Sequence, residues 1–334
     1  MKKSVLLPLV ALVLSSCQIA VNPSSSGAAS SEEKSSSPSI EESSFSSATP
    51  SSEAISSEVS SIEESSIEES SAASSSEETQ VDEDYHPENY HLTWSDEFEG
   101  TSLNQNNWTY EIGNGNWGWG NGEAQYYTDH NDSVSDGFLT IAAKREQIED
   151  WNYTSTRIVT KNKAHFTYGY MCARISLPEV QGMWPAFWML PETGYGSEGT
   201  TWWPTSGEID IMEAKGRIPN KTSGALHFSS NGTGGNHTYR SRENSVDAIS
   251  NFHVYSVLWT SEVIYWYVDG VVFFSVPSST WNQGYGTNNS VPFHKDFHFI
   301  LNLAVGGQFD GNIEPPSDWT QSEMKIDYVR CYQA

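Results

Sequence analysis

Short stretches rich in β-branched and aromatic residues, separated by turn residues, dominate the chain from about Tyr90 onward. They are FLTIAAK (138–144), YGYMCARISLP (168–178), HVYSVLWT (253–260), VIYWYVDGVVFFSV (263–276), FHFILNLAV (297–305) and MKIDYVRCYQ (324–333). Stretches of this kind are typical of strands, and none shows the periodicity of a long amphipathic helix. The pattern predicts an all-β fold, a sandwich or jelly roll of two packed antiparallel sheets. It also predicts a hairpin turn at Asp269-Gly270.

The N-terminal residues 1–21 have a different pattern, with two lysines, an apolar run and the sequence LSSC that ends at Cys17. This order is typical of a signal segment, and the apolar run is too short for a mature spanning helix. LSSC resembles a bacterial lipobox, so we expect an exported protein held at the cell surface by a lipid on Cys17. An ordinary signal peptide with an incidental cysteine is the alternative.

Residues 22–84 form a low-complexity tract of serine and glutamate, in which fifteen acidic side chains accompany a single lysine, Lys34. Such a tract cannot bury enough apolar surface to offset the entropy of ordering, and its charges repel one another. We therefore predict a disordered, extended tether. Residues 85–334 are long enough for one domain with a large core.

The formal net charge of the 334 residues is −26, and residues 85–334 are acidic as well as the tract. A negative surface repels phosphate groups, so we expect no nucleic-acid partner. We expect a monomer whose only membrane contact is the N-terminal lipid anchor.

Three acids lie within six residues in SGEIDIMEAKG (206–216), namely Glu208, Asp210 and Glu213. Side chains alternate along a strand, so Glu208 and Asp210 share one face, whereas Glu213 would point to the other. A β-bulge near Ile211-Met212 would return Glu213 to the face of the first two acids. The sequence therefore predicts three crowded carboxylates on one strand face.

Crowded carboxylates repel one another, and the use that we infer for them is glycoside cleavage. A retaining glycosidase needs one carboxylate as nucleophile and one carboxylic acid as proton donor. Like charges push neighbouring pKa values apart, which lets one acid stay protonated while another is ionised. The alternative is an acidic edge strand that discourages aggregation, but the interleaved Ile209, Ile211 and Met212 indicate a strand packed on a core.

The segment GEIDIMEAKG (207–216) resembles the bulged E-x-D-x-x-E motif of glycoside hydrolase family 16. The resemblance runs from about Leu92 to Tyr332, and within the family it is to laminarinases, which are endo-acting β-1,3-glucanases. It implies a jelly-roll sandwich with a long open cleft across the concave face. The other matching segments are WSDEFEG (94–100), WGNGEAQYYT (119–128), YGYMCARISLP (168–178), MWPAFWML (183–190), WYVDG (266–270), LNLAVGG (301–307) and KIDYVRCYQ (325–333).

The resemblance also implies a role for each acid and a β-glucan substrate. Glu208 is the expected nucleophile, Glu213 the expected general acid/base, and Asp210 is expected to hydrogen-bond the nucleophile and tune its ionisation. A two-step displacement through a glycosyl-enzyme follows, with retention at the anomeric carbon and no cofactor for catalysis.

Further substrate contacts come from the same resemblance. Trp184 and Trp188 lie four residues apart, hence on one strand face, and match the family's sugar platforms; indole stacks on the apolar faces of sugar rings. Core positions are the alternative for both. Asn121 and Arg157 match positions that hold glucose hydroxyls, and His227 matches a histidine on the strand beside the catalytic one, with a structural histidine as the alternative. Three residues are predicted to lie at the cleft rim: Trp117, Glu123 and Trp203.

A structural calcium ion, remote from the chemistry, is a further implication. The matching elements are Glu97, the backbone of Gly137, and Asp327, and oxygen ligands from separated segments suit calcium. The alternative for Asp327 is a strand-edge cap. For Cys172 and Cys331 the sequence allows two alternatives, a disulfide bond or two buried thiols.

The chain departs from the laminarinase pattern at Phe309 and Asp310, in GGQFDG, where the family usually has GG, one residue and then Trp-Pro-Gly. This departure is expected to alter subsite preference and not the reaction class. A mixed-linkage β-1,3/1,4-glucanase is the close alternative, although such enzymes often carry an unbulged E-x-D-x-E motif. A non-catalytic glucan-binding module is a second alternative, but related modules have usually lost one or both of the glutamates that this chain keeps.

Overall fold

The computed structural model of the protein describes residues 85–193, 203–230, 236–282 and 292–334. The predicted signal segment, the tether and Cys17 lie outside these ranges. Within them the chain is built of strands, with one four-residue α-helix, α1 (Ser278–Trp281), and short helical turns at Gly118–Gly122 and Gln308–Asp310. No helix in the described ranges has the length and apolarity needed to cross a membrane.

The seventeen strands of the described residues follow one another with short connections. In chain order they are β1 (His91–Asp96), β2 (Thr109–Tyr110), β3 (Gln125–Tyr127), β4 (Asp132–Ser135), β5 (Phe138–Lys144), β6 (Tyr153–Ser155), β7 (Arg157–Val159), β8 (Gly169–Ser176), β9 (Met183–Pro191), β10 (Glu208–Ala214), β11 (Lys221–Ser229), β12 (His237–Ser245), β13 (His253–Trp259), β14 (Val263–Val268), β15 (Val271–Pro277), β16 (Phe297–Val305) and β17 (Gln321–Gln333).

These strands form two sheets. The ten-stranded sheet has the order β15-β14-β13-β8-β17-β5-β6-β3, with β1 on β17 and β4 on β5, and the seven-stranded sheet has the order β12-β11-β10-β9-β16-β7-β2. Pairing is antiparallel except between β3 and β6. The predicted all-β sandwich of two antiparallel sheets is confirmed, and strand β10, which carries the three acids, lies inside the seven-stranded sheet.

The core lies between the sheets. It includes Ile209, Ile211 and Met212 of β10, all at most 2% exposed, in one apolar cluster with residues of the ten-stranded sheet. The acids between them point away from this core. Cys172 and Cys331 are both buried as thiols and do not form a disulfide, which decides between the two alternatives left open by the sequence.

The predicted hairpin joins β14 to β15. Asp269 and Gly270 both have positive φ angles, 51° and 73°, as a two-residue hairpin turn of the I′ type requires. The turn prediction is therefore confirmed.

Candidate active site

The predicted bulge is present in β10, and it brings the third acid to the face of the first two. Against β11, Glu208 pairs with His227, Asp210 with Ala225 and Glu213 with Ser223. Two residues of β10, at 211 and 212, therefore oppose one residue of β11, at 224. The register on β9 shifts at the same place, between Asp210 and Met212. We call the face that carries the three acids the site face.

A tryptophan from the other sheet supports the bulge. The indole nitrogen of Trp266, on β14, donates a hydrogen bond of 2.8 Å to the backbone oxygen of Asp210. Gly224 makes room for this contact, because a Cβ at that position would lie 2.3 Å from Cδ1 of Trp266. A bulge interrupts the ladder of backbone hydrogen bonds, so this donor stabilises the irregular conformation that aims Glu213.

His227 lies against the acids, as the resemblance implied. Its Nε2 atom is 3.2 Å from Oδ2 of Asp210 and 3.9 Å from Oε1 of Glu208. The side chain of Asp210 is only 5% exposed, compared with 17% for Glu208 and 21% for His227. Asp210 thus occupies the floor of the cluster, and Glu208 and His227 are more accessible from solvent.

The surroundings raise the pKa of three groups in this cluster, Glu208, Glu213 and His227. Burial, followed by the charge of Asp210, raises the pKa of the Glu208 and Glu213 carboxyls to about 8. Burial works to lower the pKa of His227, but its pairing with Asp210 and the charges of Glu208 and Glu213 outweigh burial and raise it to about 9. His227 is therefore an imidazolium at neutral pH, and its charge favours the ionised form of the adjacent Glu208.

Each of the two glutamates also accepts a hydrogen bond from one indole. Trp203 donates to Oε2 of Glu208, and Trp184 donates to Oε1 of Glu213, both over 3.0 Å. Trp203 is 41% exposed, which agrees with its predicted place at the rim. The stacking partner of Trp184 is Phe309, with ring centroids 5.0 Å apart.

Phe309, one of the departures from the laminarinase pattern, belongs to a short turn that is anchored by its neighbour. The carboxylate of Asp310 is buried and accepts three close contacts from the Arg217 guanidinium, of 2.7 to 3.0 Å. The ammonium group of Lys215 lies 4.5 Å from the centre of the Phe309 ring. The altered segment therefore still supplies an aromatic ring beside Trp184.

Arg157 and Trp188 pack against each other. The Arg157 guanidinium lies 4.5 Å from the Trp119 ring centre and 4.9 Å from that of Trp188, and it pairs with Glu111 over 2.5 Å. Only 7% of the Arg157 side chain is exposed, and Trp188 donates to Oδ1 of Asn302 over 2.7 Å. Arg157 is thus enclosed between two indoles, and it orients the predicted sugar platform at Trp188.

The rim prediction for Glu123 is wrong, whereas Trp117 lies at the surface as expected. Glu123 is 5% exposed, because its carboxylate accepts hydrogen bonds from Gln125, Tyr127 and Asn121. Its role is to hold the loop that carries Asn121. Trp117 is 65% exposed.

The predicted calcium residues do not fit a calcium ion as they are arranged. Glu97 accepts hydrogen bonds from Arg330 on both carboxylate oxygens, at 3.0 and 2.9 Å, and Asp327 accepts from Arg174 at 2.8 Å. Gly137, whose φ is 80°, forms the turn between β4 and β5. Two guanidinium groups already neutralise the carboxylates that a divalent cation would need.

Several residues of this site were missed from the sequence: Trp266, Gly224, Glu111, Asn302 and His237. Glycine inside a strand pattern signals a close approach of another group, so Gly224 in KTSGALHFS could have been found. The other four carry no signal within their own segments, because their roles depend on partners elsewhere in the chain.

Comparison with known proteins agrees with this geometry. The profile of the family described as Glycosyl hydrolases family 16 matches residues 116–330. The chain is 40% identical over 264 residues to the glucan endo-1,3-beta-glucosidase A1 of Niallia circulans, a match that covers 72% of this chain and 38% of that protein. It is 39% identical over 250 residues to the beta-glucanase of Rhodothermus marinus, which covers 72% of this chain and 85% of that protein.

The fold is also shared with solved structures. The X-ray structure of the laminarinase from Rhodothermus marinus superposes with a TM-score of 0.65 at 38% identity, covering 73% of this chain and 97% of that one. The chain spans well under half of the length of the Niallia circulans protein, so the likeness concerns the domain and not that whole protein. The bulged acid strand, the two-sheet fold and these matches together show that the chain belongs to glycoside hydrolase family 16.

Proposed function

We propose that the protein is an endo-β-1,3-glucanase that cleaves laminarin-type glucans by double displacement with retention. The observation that carries the proposal is the register shift in β10, which brings Glu208, Asp210 and Glu213 to one face. The substrate class is supported by the likeness to the glucan endo-1,3-beta-glucosidase of Niallia circulans.

In the first step, a carboxylate oxygen of Glu208 attacks the anomeric carbon as the bond to the leaving oxygen breaks. The proton of Glu213 passes to that leaving oxygen, which departs as a hydroxyl. Burial and the charge of Asp210 raise the pKa of both glutamates to about 8, so the two acids titrate as a pair, and the reactive arrangement has the proton on Glu213 and the charge on Glu208. The imidazolium of His227 and the indole of Trp203 both favour the ionised form of Glu208.

In the second step, the Glu213 carboxylate takes a proton from water, and the water oxygen attacks the anomeric carbon. The ester bond to Glu208 breaks and the enzyme is restored, with the β configuration retained. Asp210 is buried between the two glutamates, and its charge hinders the simultaneous ionisation of both.

The test compares polysaccharides and variants. We expect the protein to cut laminarin in mid-chain, which would lower the viscosity of a soluble β-1,3-glucan before many reducing ends accumulate. The newly released products should be β-anomers by NMR. Glu208→Gln and Glu213→Gln should each lower the rate by several orders of magnitude, whereas rapid cleavage by Glu208→Gln would contradict the assigned nucleophile.

The same assay separates the proposal from its rivals. Faster cleavage of mixed β-1,3/1,4-glucan than of laminarin would indicate the mixed-linkage alternative. Binding of laminarin without release of oligosaccharides would indicate a glucan-binding module.

We also infer that the domain is displayed at the cell surface as a monomer, through a lipid on Cys17 and a tether over residues 22–84. The support is the LSSC sequence after an apolar run and the Ser/Glu composition that follows it. Mass spectrometry of the mature N-terminus tests the anchor, and an unmodified start downstream of Cys17 would contradict it. Light scattering of the soluble form tests the monomer.

A further inference from the structure

His237 lies at the beginning of β12, the edge strand of the seven-stranded sheet, and its side chain reaches the site face. Its Nε2 atom is 2.9 Å from Nδ1 of His227. The ring centres are 5.1 Å apart and the ring planes differ by 15°. Two imidazoles joined edge to edge by one nitrogen–nitrogen hydrogen bond have this geometry. We call His227 and His237 the histidine pair.

The protonation of the pair follows from its surroundings. Nε2 of His227 lies 3.2 Å from Oδ2 of Asp210, within ion-pair distance, and Nδ1 lies 2.9 Å from Nε2 of His237, so a protonated His227 pairs with Asp210 through Nε2 and donates to His237 through Nδ1. His237 must then be neutral and must accept at Nε2. Burial and the positive charge of His227 both lower the pKa of His237, which agrees with this assignment.

The titratable groups that face His227 come from both neighbouring strands. Glu208, Asp210 and Glu213 belong to β10, and all three raise the pKa of His227. From β12, His237 and Tyr239 face the ring, with the Tyr239 ring centre 5.7 Å away. Of the two groups on β12, His237 is the one that bonds a ring nitrogen of His227.

His237 also contacts the second residue that touches Glu208. The centre of its ring is 4.6 Å from that of Trp203, and Trp203 donates to Oε2 of Glu208 over 3.0 Å. One exposed side chain thus contacts both the imidazole and the indole that favour ionisation of Glu208.

We propose that His237 is a positioning residue, which holds His227 against Asp210 and Glu208 by accepting its Nδ1 proton and packs beside Trp203. It acts through these two neighbours and does not itself touch the reacting atoms. The proposal deepens the glucanase function and rests on it for the kinetic readout. The hydrogen bond between the histidines can be measured without substrate.

The test uses two substitutions at this position in the complete protein. His237→Phe keeps a planar ring beside Trp203 but cannot accept a hydrogen bond, whereas His237→Gln keeps an acceptor. Tyr239→Phe is the matched control, because it removes a hydroxyl from the same strand and face without touching a ring nitrogen of the pair. Because His237 lies at an exposed strand end, all three variants are expected to fold.

NMR titration of the labelled histidine rings gives the pKa of His227. We expect His237→Phe to lower it by about one unit, as the loss of a hydrogen bond to a charged donor predicts, and His237→Gln and Tyr239→Phe to leave it nearly unchanged. Against laminarin, His237→Phe should lower kcat about tenfold with little change in KM, and His237→Gln should recover most of the loss.

An unchanged His227 pKa in His237→Phe would overturn the proposal, and so would a kcat equal to that of the unmodified protein. If the unmodified protein does not cut laminarin, the glucanase function fails. In that case the NMR titration of His227 in the His237 variants still tests the hydrogen bond between the two histidines. The two failures are therefore distinguishable.

Discussion

The indole nitrogen of Trp184 lies 3.0 Å from Oε1 of Glu213 and donates a hydrogen bond to it. Trp184 is on β9 and Glu213 lies just beyond the bulge of β10, where it pairs with Ala186. The residue that the family resemblance marks as a sugar platform therefore also contacts the proposed proton donor. A donor to a carboxylate favours its ionised form, so Trp184 restrains the pKa that burial raises.

Trp184→Phe should raise the pKa of Glu213 further, because the hydrogen bond that stabilises its ionised form is lost. The general acid must be protonated, so the alkaline limb of the kcat/KM profile on laminarin should move to higher pH. The value of kcat/KM at neutral pH should fall about tenfold, through weaker orientation of the acid.

Trp188→Phe is the matched control, because its indole donates to Asn302 and not to a glutamate. That substitution should weaken binding without moving the limb. A limb that stays in place or moves to lower pH in Trp184→Phe would count against the role of this hydrogen bond.

Azide should separate the roles of the two glutamates. Glu213→Ala still forms the glycosyl-enzyme from a substrate with a good leaving group, and azide then attacks it to give a β-glycosyl azide. Glu208→Ala leaves a cavity in which azide attacks the substrate directly, which gives an α-glycosyl azide. NMR of the glycosyl azides gives their anomeric configuration. An α-glycosyl azide from Glu213→Ala and a β-glycosyl azide from Glu208→Ala would reverse the assignment of nucleophile and acid.

Trp266→Phe should reduce both stability and activity. The indole of Trp266 is fully buried and donates to the backbone oxygen of Asp210, so the substitution removes a hydrogen bond to a buried carbonyl group. The expected cost is about 1–3 kcal/mol in the free energy of unfolding, measured by denaturant titration. We also expect kcat to fall, because the bulge that aims Glu213 loses its support.

The control for this prediction is Trp259→Phe. Trp259 is equally buried, and its indole also donates to a backbone oxygen, that of Phe293, but away from the bulge. The Trp259→Phe variant should lose a similar amount of unfolding free energy, with kcat nearly unchanged. Equal kcat values in the two variants would show that the Trp266 contact does not orient the acids.

The stability of the protein should fall as the pH rises from about 5 to 9. The pKa values of Glu208 and Glu213 are raised to about 8 and that of His227 to about 9, all above their ordinary values. The folded state therefore binds more protons than the unfolded state across this window, and unfolding free energy decreases with pH.

Glu213→Gln should therefore unfold at a higher temperature than the unmodified protein at pH 8. The amide cannot ionise, so the strain of charging a buried acid beside Asp210 is removed, a gain on the order of 1 kcal/mol. Thermal unfolding at pH 5.5 and 8 checks this, and the difference should shrink at the lower pH. A larger gain at pH 5.5 than at pH 8 would contradict the raised pKa.

Chelation should leave the thermal stability unchanged. Arg330 and Arg174 already pair with Glu97 and Asp327, so removal of calcium should cost nothing. Unfolding temperatures with excess calcium and with a chelator should agree within about one degree. An unfolding temperature several degrees higher with excess calcium than with the chelator would support the predicted calcium site.

The amino-acid pattern by itself predicted the strands β5, β8, β10 and β13 to β17, the Asp269-Gly270 hairpin and the bulge of β10. Period-two alternation shows which side chains share a face of a strand. Under this alternation Glu213 would face away from Asp210, and one extra residue in a β-bulge returns it to the same face. Local pattern was sufficient here, because each of these features depends on residues that are neighbours along the chain.

The tertiary structure alone decided what surrounds the acids. Trp266 is 56 residues from its acceptor in Asp210, and Arg157 is 46 residues from Glu111. It also decided that Glu123 is buried and that Cys172 and Cys331 remain thiols. Alternation along one strand carries no information about which distant strand will lie beside it, so the hydrogen bonds and charges that tune the acids follow from packing.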